Sequence, residues 1–323
     1  MRENRPMEKI ILDCDPGHDD AIAILLAAGS PEVELLAITT VAGNQTVEKV
    51  TRNALAVCAI AGIEVPVARG AHSPLIEPQR VAEDIHGDSG LDGPVLPEPV
   101  FDVDARPAAQ LIVDTIMAHE AGAVTLVATG PLTNIALAMR LHPEIVARVK
   151  RVVVMGGAYT RGNMTPAAEF NIAVDPEAAD AVFRAAWPVT MVGLDLTHQA
   201  LATTELQNRV EAIGGPVSAF VLDVWEFFGD SYRTVFGFEH PPIHDACCVA
   251  AVIDPAVFTT AKAEVHVELR GEWTRGMTVV DFADVAGMHH GTGRDYRTDV
   301  ALQLDWPRFA DLVVTAVARL PHP

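Results

Sequence analysis

Positive charge is scarce in this chain. Its 323 residues hold 23 Lys and Arg against 43 Asp and Glu, a formal net charge of −20. So acidic a protein argues against nucleic-acid backbones as partners, because that binding rests on cations neutralising phosphates. It argues equally against anionic membranes. A phosphorylated small substrate is disfavoured as well, since neither GxxxxGK[ST] nor GxGxxG occurs. Cysteine is sparse too. Cys14, Cys58, Cys247 and Cys248 form no CxxC, and adjacent Cys247 and Cys248 are poorly placed to bridge each other. Free core thiols in a reducing cytoplasm are the expectation. No apolar stretch approaches the roughly 20 residues needed to span a bilayer. The opening MRENRPMEK lacks the apolar centre of a signal peptide. Its first residues, 1–8, are expected to form a frayed tail.

Apolar side chains, by contrast, are plentiful. At 50% hydrophobic and 20% charged, the chain can fill a sizeable core. Length alone allows one large domain or two ordinary ones. KIILDC, VELLAITTVAG, VPVAR, VTLVATG, RVVVMGG and VTMVGLD read as strands, apolar throughout in the manner of buried parallel strands. Between them AIAILLAAG, TVEKVTRNALAVCAIAG, PAAQLIVDTIMAHEAG, LTNIALAMRLHP and DPEAADAVFRAA read as helices. Residues 70–106 and AYTRGNMTPAAEFNI read as loops. The alternation predicts an α/β fold with an open, mostly parallel sheet flanked by helices. Residues 203–254 read as mainly helical. AEVHVEL, MTVVDF and VALQLDW then alternate like antiparallel strands before a closing helix, PRFADLVVTAVARL. No internal repeat or low-complexity linker interrupts the pattern.

In such a sheet, ligands bind at the carboxyl ends of the strands. The first strand there runs into DCDPGHDD, crowding Asp13, Asp15, Asp19 and Asp20 into one turn. Asp19 and Asp20 alone would suit the first turn of a helix, each worth about 0.3–1 kcal/mol against the macrodipole. That explains two acids well and four badly. An oxygen-ligated hard cation such as Ca2+ explains the set better, and no Cys/His spacing suggests zinc. VATGPLTN offers backbone carbonyls, among them that of Thr129, at the same edge. GNMTPAAEFNI carries Asn163, Glu169 and Asn171, which suit hydroxyl binding, while Met155 and Phe170 supply apolar contact. His244 and Asp245 open the apolar helix of IHDACCVAAVIDP. His86 lies in IHGDSGLDG, where a loop histidine is ordinarily just solvated.

Taken together, DCDPGHDDAIAI, Asn44 of VAGN, IHGDSGL, ATGPLTNIA, MGG followed by GN and AEFNI, and IHDACCVA resemble the inosine-uridine nucleoside hydrolase family. The resemblance runs from about Lys9 to the end of the chain. It implies one Rossmann-like domain over 9–323, assembled as a homotetramer or homodimer. It implies hydrolysis of the N-glycosidic bond of ribonucleosides, in cytoplasmic nucleoside salvage. Asp15, Asp20, Asp245 and the Thr129 carbonyl would hold Ca2+, with Asp15 also the general base. Asp19, Asn44, Met155, Asn163, Glu169, Asn171 and Asp245 would hold ribose. His244 would protonate or orient the leaving base, and His86, Phe170, Phe228 and Tyr232 would border the base. Family members with histidines at both the IHG and HD positions tend to accept pyrimidine nucleosides or a broad range, which points to uridine, cytidine and inosine. Two other readings compete. ILDCD imitates the DxD of a haloacid dehalogenase-type phosphatase, but Gly17 replaces the usual Thr or Val. A non-catalytic nucleoside- or sugar-binding protein would have no purpose for a water base paired with a leaving-group acid.

Overall fold

The computed structural model describes residues 7–290 and 298–321. The strands and helices alternate from the start: β1 (Glu8–Cys14), α1 (His18–Ala28), β2 (Val33–Thr40), α2 (Val47–Ala61) and β3 (Val67–Arg69). A long loop holding only α3 (Glu83–His86) leads to α4 (Ala108–Ala118), β4 (Val124–Ala128), α5 (Thr133–Leu141) and β5 (Arg151–Met155). Then come α6 (Phe170–Val174), α7 (Pro176–Arg184), β6 (Val189–Val192), α8 (Leu194–Thr197), α9 (Thr204–Glu211), α10 (Gly215–Phe236) and α11 (Ala246–Ile253). The chain finishes with β7 (Phe258–Val267), β8 (Thr278–Asp281), α12 (Val285–His290), β9 (Thr298–Leu304) and α13 (Trp306–Arg319). β1 therefore begins one residue inside the segment expected to be a tail, and residues 1–6 lie outside the described residues.

Among the described residues one sheet of nine strands results, in the order β3-β2-β1-β4-β5-β6-β9-β7-β8. The strands from β3 to β9 in that order pair parallel, whereas β7 runs antiparallel to both β9 and β8. Successive side chains of a strand face opposite ways, and β1 shows it: Ile10 and Leu12 enter one core, Ile11 the other. The first core is covered by α1, α2, α10, α11 and α13, the second by α4, α5 and α7. A fully buried Ile or Leu gains roughly 1.5–3 kcal/mol over its exposed state. The central strands, apolar on both faces, are thus held firmly and their ends are fixed in place.

Three details depart from the sequence pattern. AYTRGNMTPAAEFNI ends not as loop but in α6, because the Glu169 side chain accepts from the backbone N–H groups of Asn171 and Ile172 and caps a helix too short to show a period. β7 starts at Phe258, ahead of AEVHVEL. VALQLDW is antiparallel on one side only, since β9 pairs antiparallel with β7 and parallel with β6. The four cysteines are buried free thiols. Among the described residues no helix is long and apolar enough to cross a membrane.

Candidate active site

The carboxyl ends of β1, β2, β4 and β5 meet at one place, and burial there is severe. Asp13, Asp15 and Asp20 are fully buried and Asp19 nearly so. Asp20 does act as a first-turn acid: one oxygen accepts the Gly17 backbone N–H at 3.1 Å. It also accepts Nδ2 of Asn44 at 3.2 Å and the Thr129 hydroxyl at 2.7 Å. Asp13 takes the Thr39 hydroxyl at 2.5 Å and Nδ2 of Asn134 at 2.8 Å. Asp15 accepts the Asn44 backbone N–H on Oδ2 at 2.7 Å, while its Oδ1 is buried without a partner. Oδ1 of Asp19 is equally unpartnered. Asp245 occupies the N-cap position of α11, yet its side chain makes no capping bond. It joins the acids instead: carboxylate oxygens of Asp19, Asp20 and Asp245 lie within 4.8 Å of one another.

Such a cluster is under strain from its own charge. Burial first, and then the charge of Asp20, pushes the Asp15 carboxyl well above the ordinary range. Burial and then Asp19 do the same to Asp245. A hard dication relieves this repulsion, and the residues present fit one. The donors are all oxygen and two of them lack partners. The Thr129 carbonyl accepts from Nδ2 of Asn171 at 2.8 Å and keeps a second lone pair. Asp15 falls outside the three-carboxylate group and is tied to it by Asn44, whose Nδ2 bonds both the Asp15 carbonyl and Asp20. Asp19, expected on the ribose, takes its place in that group.

A cavity of about 320 Å³ is lined by Asp19, Asn44, His86, Thr129, Met155, Asn163, Glu169, Phe170, Asn171, Phe228, Tyr232, His244 and Asp245. Every expected site residue is on its wall except Asp15 and Asp20. Val81, Ala82, Asp84, Ile85, Met164, Val235 and Phe236 line it too, and nothing in their local sequence marks them. On the polar side, hydrogen bonds set which atoms remain free. Nδ2 of Asn171 is spent on the carbonyls of Thr129 and Met155. Oδ1 of Asn163 is spent on the Phe170 N–H at 2.8 Å, which leaves its amide N–H groups. Glu169 accepts backbone N–H groups from Gly157, Asn171 and Ile172. Burial raises it to about 7 despite those bonds. It is a helix cap and a cavity wall at once.

The other side is a run of rings. His244 bonds the Thr197 hydroxyl through Nδ1 at 2.6 Å and the Tyr232 hydroxyl through Nε2 at 2.7 Å. Burial, then the charge of His198, holds it well below the usual histidine range. Tyr232 packs edge-on to Phe228 with centroids 4.7 Å apart. Phe228 stacks on His86 at 5.3 Å. The expected leaving-group histidine thus reaches the cavity in partnership with Tyr232. His86 is not a solvated loop residue: it ends α3, is buried, and lies over Gly17, where a Cβ would fall 2.5 Å from its Nδ1. Sequence reasoning missed Thr197, Asn134 and His18. His18 stood in the DPGHDD motif, but nothing local says which way its ring turns.

The family described as "Inosine-uridine preferring nucleoside hydrolase" matches residues 10–311. The chain is 53% identical to the inosine-uridine preferring nucleoside hydrolase of Leishmania major, over 98% of this chain and 99% of that one. It is 47% identical to the pyrimidine-specific ribonucleoside hydrolase RihA of Escherichia coli, over 94% and 96%. Among solved structures, the purine-preferring ribonucleoside hydrolase from Gardnerella vaginalis superposes with a TM-score of 0.89 at 34% identity, covering 96% of this chain and 98% of that one. Fold, acidic cleft and relatives together define an N-glycosidase, which sets aside the phosphatase and the non-catalytic binder. The chain belongs to the inosine-uridine preferring nucleoside hydrolase family.

Proposed function

We propose that this hydrolase is Ca2+-dependent, favours pyrimidine ribonucleosides or accepts a broad range (uridine, cytidine and inosine), and serves nucleoside salvage in the cytoplasm as a homo-oligomer. One observation carries the reading. A single cavity unites the buried carboxylates of Asp19, Glu169 and Asp245, with Oδ1 of Asp19 unpartnered, and a hydrogen-bonded histidine–tyrosine pair. The histidines at positions 86 and 244 and the 47% identity to a pyrimidine-specific relative, against 34% to a purine-preferring one, support the base range.

Ca2+ bound by Asp15, Asp20, Asp245 and the Thr129 carbonyl would offset the carboxylate charge and make water more acidic. Asp15, through its free Oδ1, accepts the proton of the attacking water. Asp19, Asn44, Asn163, Glu169 and Asn171 hold the ribose hydroxyls. As the N-glycosidic bond stretches, positive charge grows on the ribose, as in O-glycoside cleavage. The surrounding carboxylates favour that state over the neutral nucleoside, which is differential binding of the transition state. The departing nitrogen takes a proton from the Tyr232–His244 pair, and the proton left on Asp15 balances it.

His244→Ala should lose about 10²–10⁴-fold in kcat on uridine, the usual worth of general acid help. It should lose far less on p-nitrophenyl riboside, whose leaving group departs without a proton. Tyr232→Phe should show the same split. Equal losses on both substrates would return His244 to a packing or positioning role.

Removal of metal tests the cation. A ligand that binds only the folded state at a hundred times its Kd adds about 2.7 kcal/mol. Dialysis against a chelator should therefore abolish activity and lower Tm by several degrees, and Ca2+ should restore both. An unchanged Tm and full activity after dialysis would show that the carboxylates work without a dication.

A further inference from the structure

The cavity carries carboxylates at both of its ends and no basic side chain. Among the described residues its lining includes Asp19, Asp84, Glu169 and Asp245, and neither Lys nor Arg. Three of these acids belong to the ribose and ion end. Asp84 does not. It lies on α3 two residues before His86, and α3 packs against α10. Asp84 is exposed and still lines the cavity, so it stands at the mouth of the base end. The rest of that end is aromatic. Phe228, Tyr232 and Phe236 recur at every fourth residue of α10, a spacing that puts side chains on one helix face. The Tyr232 ring lies 4.7 Å from Phe228 and 5.1 Å from Phe236 between centroids. Phe170 adds a fourth ring. Ring faces carry negative potential and attract cations. Rings plus a carboxylate, with no basic group beside them, are complementary to positive charge on the base. The Ca2+ proposed above does not reverse this, because its two charges are set against the carboxylates of Asp15, Asp19, Asp20 and Asp245.

We infer a further activity: the enzyme hydrolyses ribosides whose base is a cation quaternised at the glycosidic nitrogen, such as a pyridinium riboside, and binds them more tightly than neutral ribosides of the same shape. The inference extends the nucleoside reading above and rests on it. Water adds its oxygen to C1′ as the C1′–N bond breaks. The bonding pair returns to nitrogen and cancels its charge, so the base leaves neutral and takes up no proton. The proton lost by water ends in solvent. As the bond stretches, positive charge crosses from base to ribose, from the rings and Asp84 to the buried aspartates. It stays among carboxylates throughout. Ground state and transition state share the gain, so it shows in KM rather than in kcat.

Two measurements decide it, both in the presence of Ca2+. The first compares pyridinium riboside with C-phenyl riboside, a neutral and uncleavable compound of the same shape. Wild-type enzyme should cleave pyridinium riboside to pyridine and ribose. As competitors of p-nitrophenyl riboside hydrolysis, the pyridinium compound should bind about 5–30-fold more tightly than the phenyl one, the worth of a desolvated cation over aromatic rings. The second is Asp84→Asn. At low salt it should raise KM for pyridinium riboside by about 2–5-fold with kcat little changed, the scale of one exposed charge. Salt at about 0.5 M should remove most of that difference, since exposed charges are screened. Equal binding of the charged and neutral rings, a wild-type KM in Asp84→Asn at low salt, or turnover of uridine without turnover of pyridinium riboside would each overturn the inference and leave the nucleoside reading standing. If uridine and inosine fail while p-nitrophenyl riboside turns over, the base range above falls, and pyridinium riboside still decides this inference.

Discussion

Asp15→Asn is expected to lower kcat by about 10³–10⁴-fold, the upper range of what a positioned proton-transfer group contributes. The loss should be this large because one side chain serves two purposes. Its Oδ2 accepts the Asn44 backbone N–H and fixes the turn after β2, while Oδ1 has no protein partner. The amide oxygen of Asn can still accept that N–H, so the fold should survive and Tm at saturating Ca2+ should change little. What disappears is the basic oxygen and one negative ligand. The surroundings leave no room for a substitute: a Cβ on Gly43 would fall 2.1 Å from Oδ2 of Asp15, so the carboxylate is enclosed by backbone. Turnover of uridine by folded Asp15→Asn protein at near wild-type rate would falsify the assignment of Asp15 as base and ligand. Reduced Ca2+ affinity with unchanged kcat at saturating Ca2+ would leave only the ligand role.

The second large effect concerns the sugar. Wild-type enzyme should discriminate against 2′-deoxyuridine by about 10⁴–10⁵-fold in kcat/KM, as sites built around a substrate hydroxyl do when it is missing. The physical reason lies in how fully the polar wall is already committed. Asn171 and Asn44 spend their amide N–H groups inside the protein, and Asn163 spends its oxygen. Each keeps only one kind of free atom, so the wall cannot turn about to satisfy itself when a hydroxyl is absent. Oδ1 of Asp19, buried and unpartnered, is in the same position. A missing hydroxyl then leaves buried polar atoms unpaired, at about 1–3 kcal/mol each and more where a charge is involved. Several such atoms failing together give the expected factor. Comparable kcat/KM for uridine and 2′-deoxyuridine would mean that Glu169 and its neighbours serve α6 and not a ribose.

Glu169 shows why a local reading of such a loop is incomplete. Read locally it is a loop acid suited to binding hydroxyls, and the folded chain has it capping α6 while lining the cavity. Asp20 is likewise a first-turn acid of α1 and a member of the carboxylate group. Asp245, by contrast, stands at a helix start and caps nothing.

By itself the sequence determined the α/β class, the parallel centre of the sheet and the location of the acidic turn. These follow from apolar period and from turn chemistry, both of which act within a few residues. Polar clusters at the ends of apolar strands marked part of the cavity wall, and the family resemblance supplied Asn44, His86, Phe228 and Tyr232. Only the tertiary structure decided how those side chains pair. β9 lies between a parallel and an antiparallel neighbour because two segments far apart in the chain close on it. His244 meets Thr197 across 47 residues, and His18 meets His86 across 68. Composition and spacing set which groups are available. The direction of a hydrogen bond between distant groups, and hence which atoms stay free for a substrate, is set when packing brings them within about 3 Å in an interior that leaves no other partner.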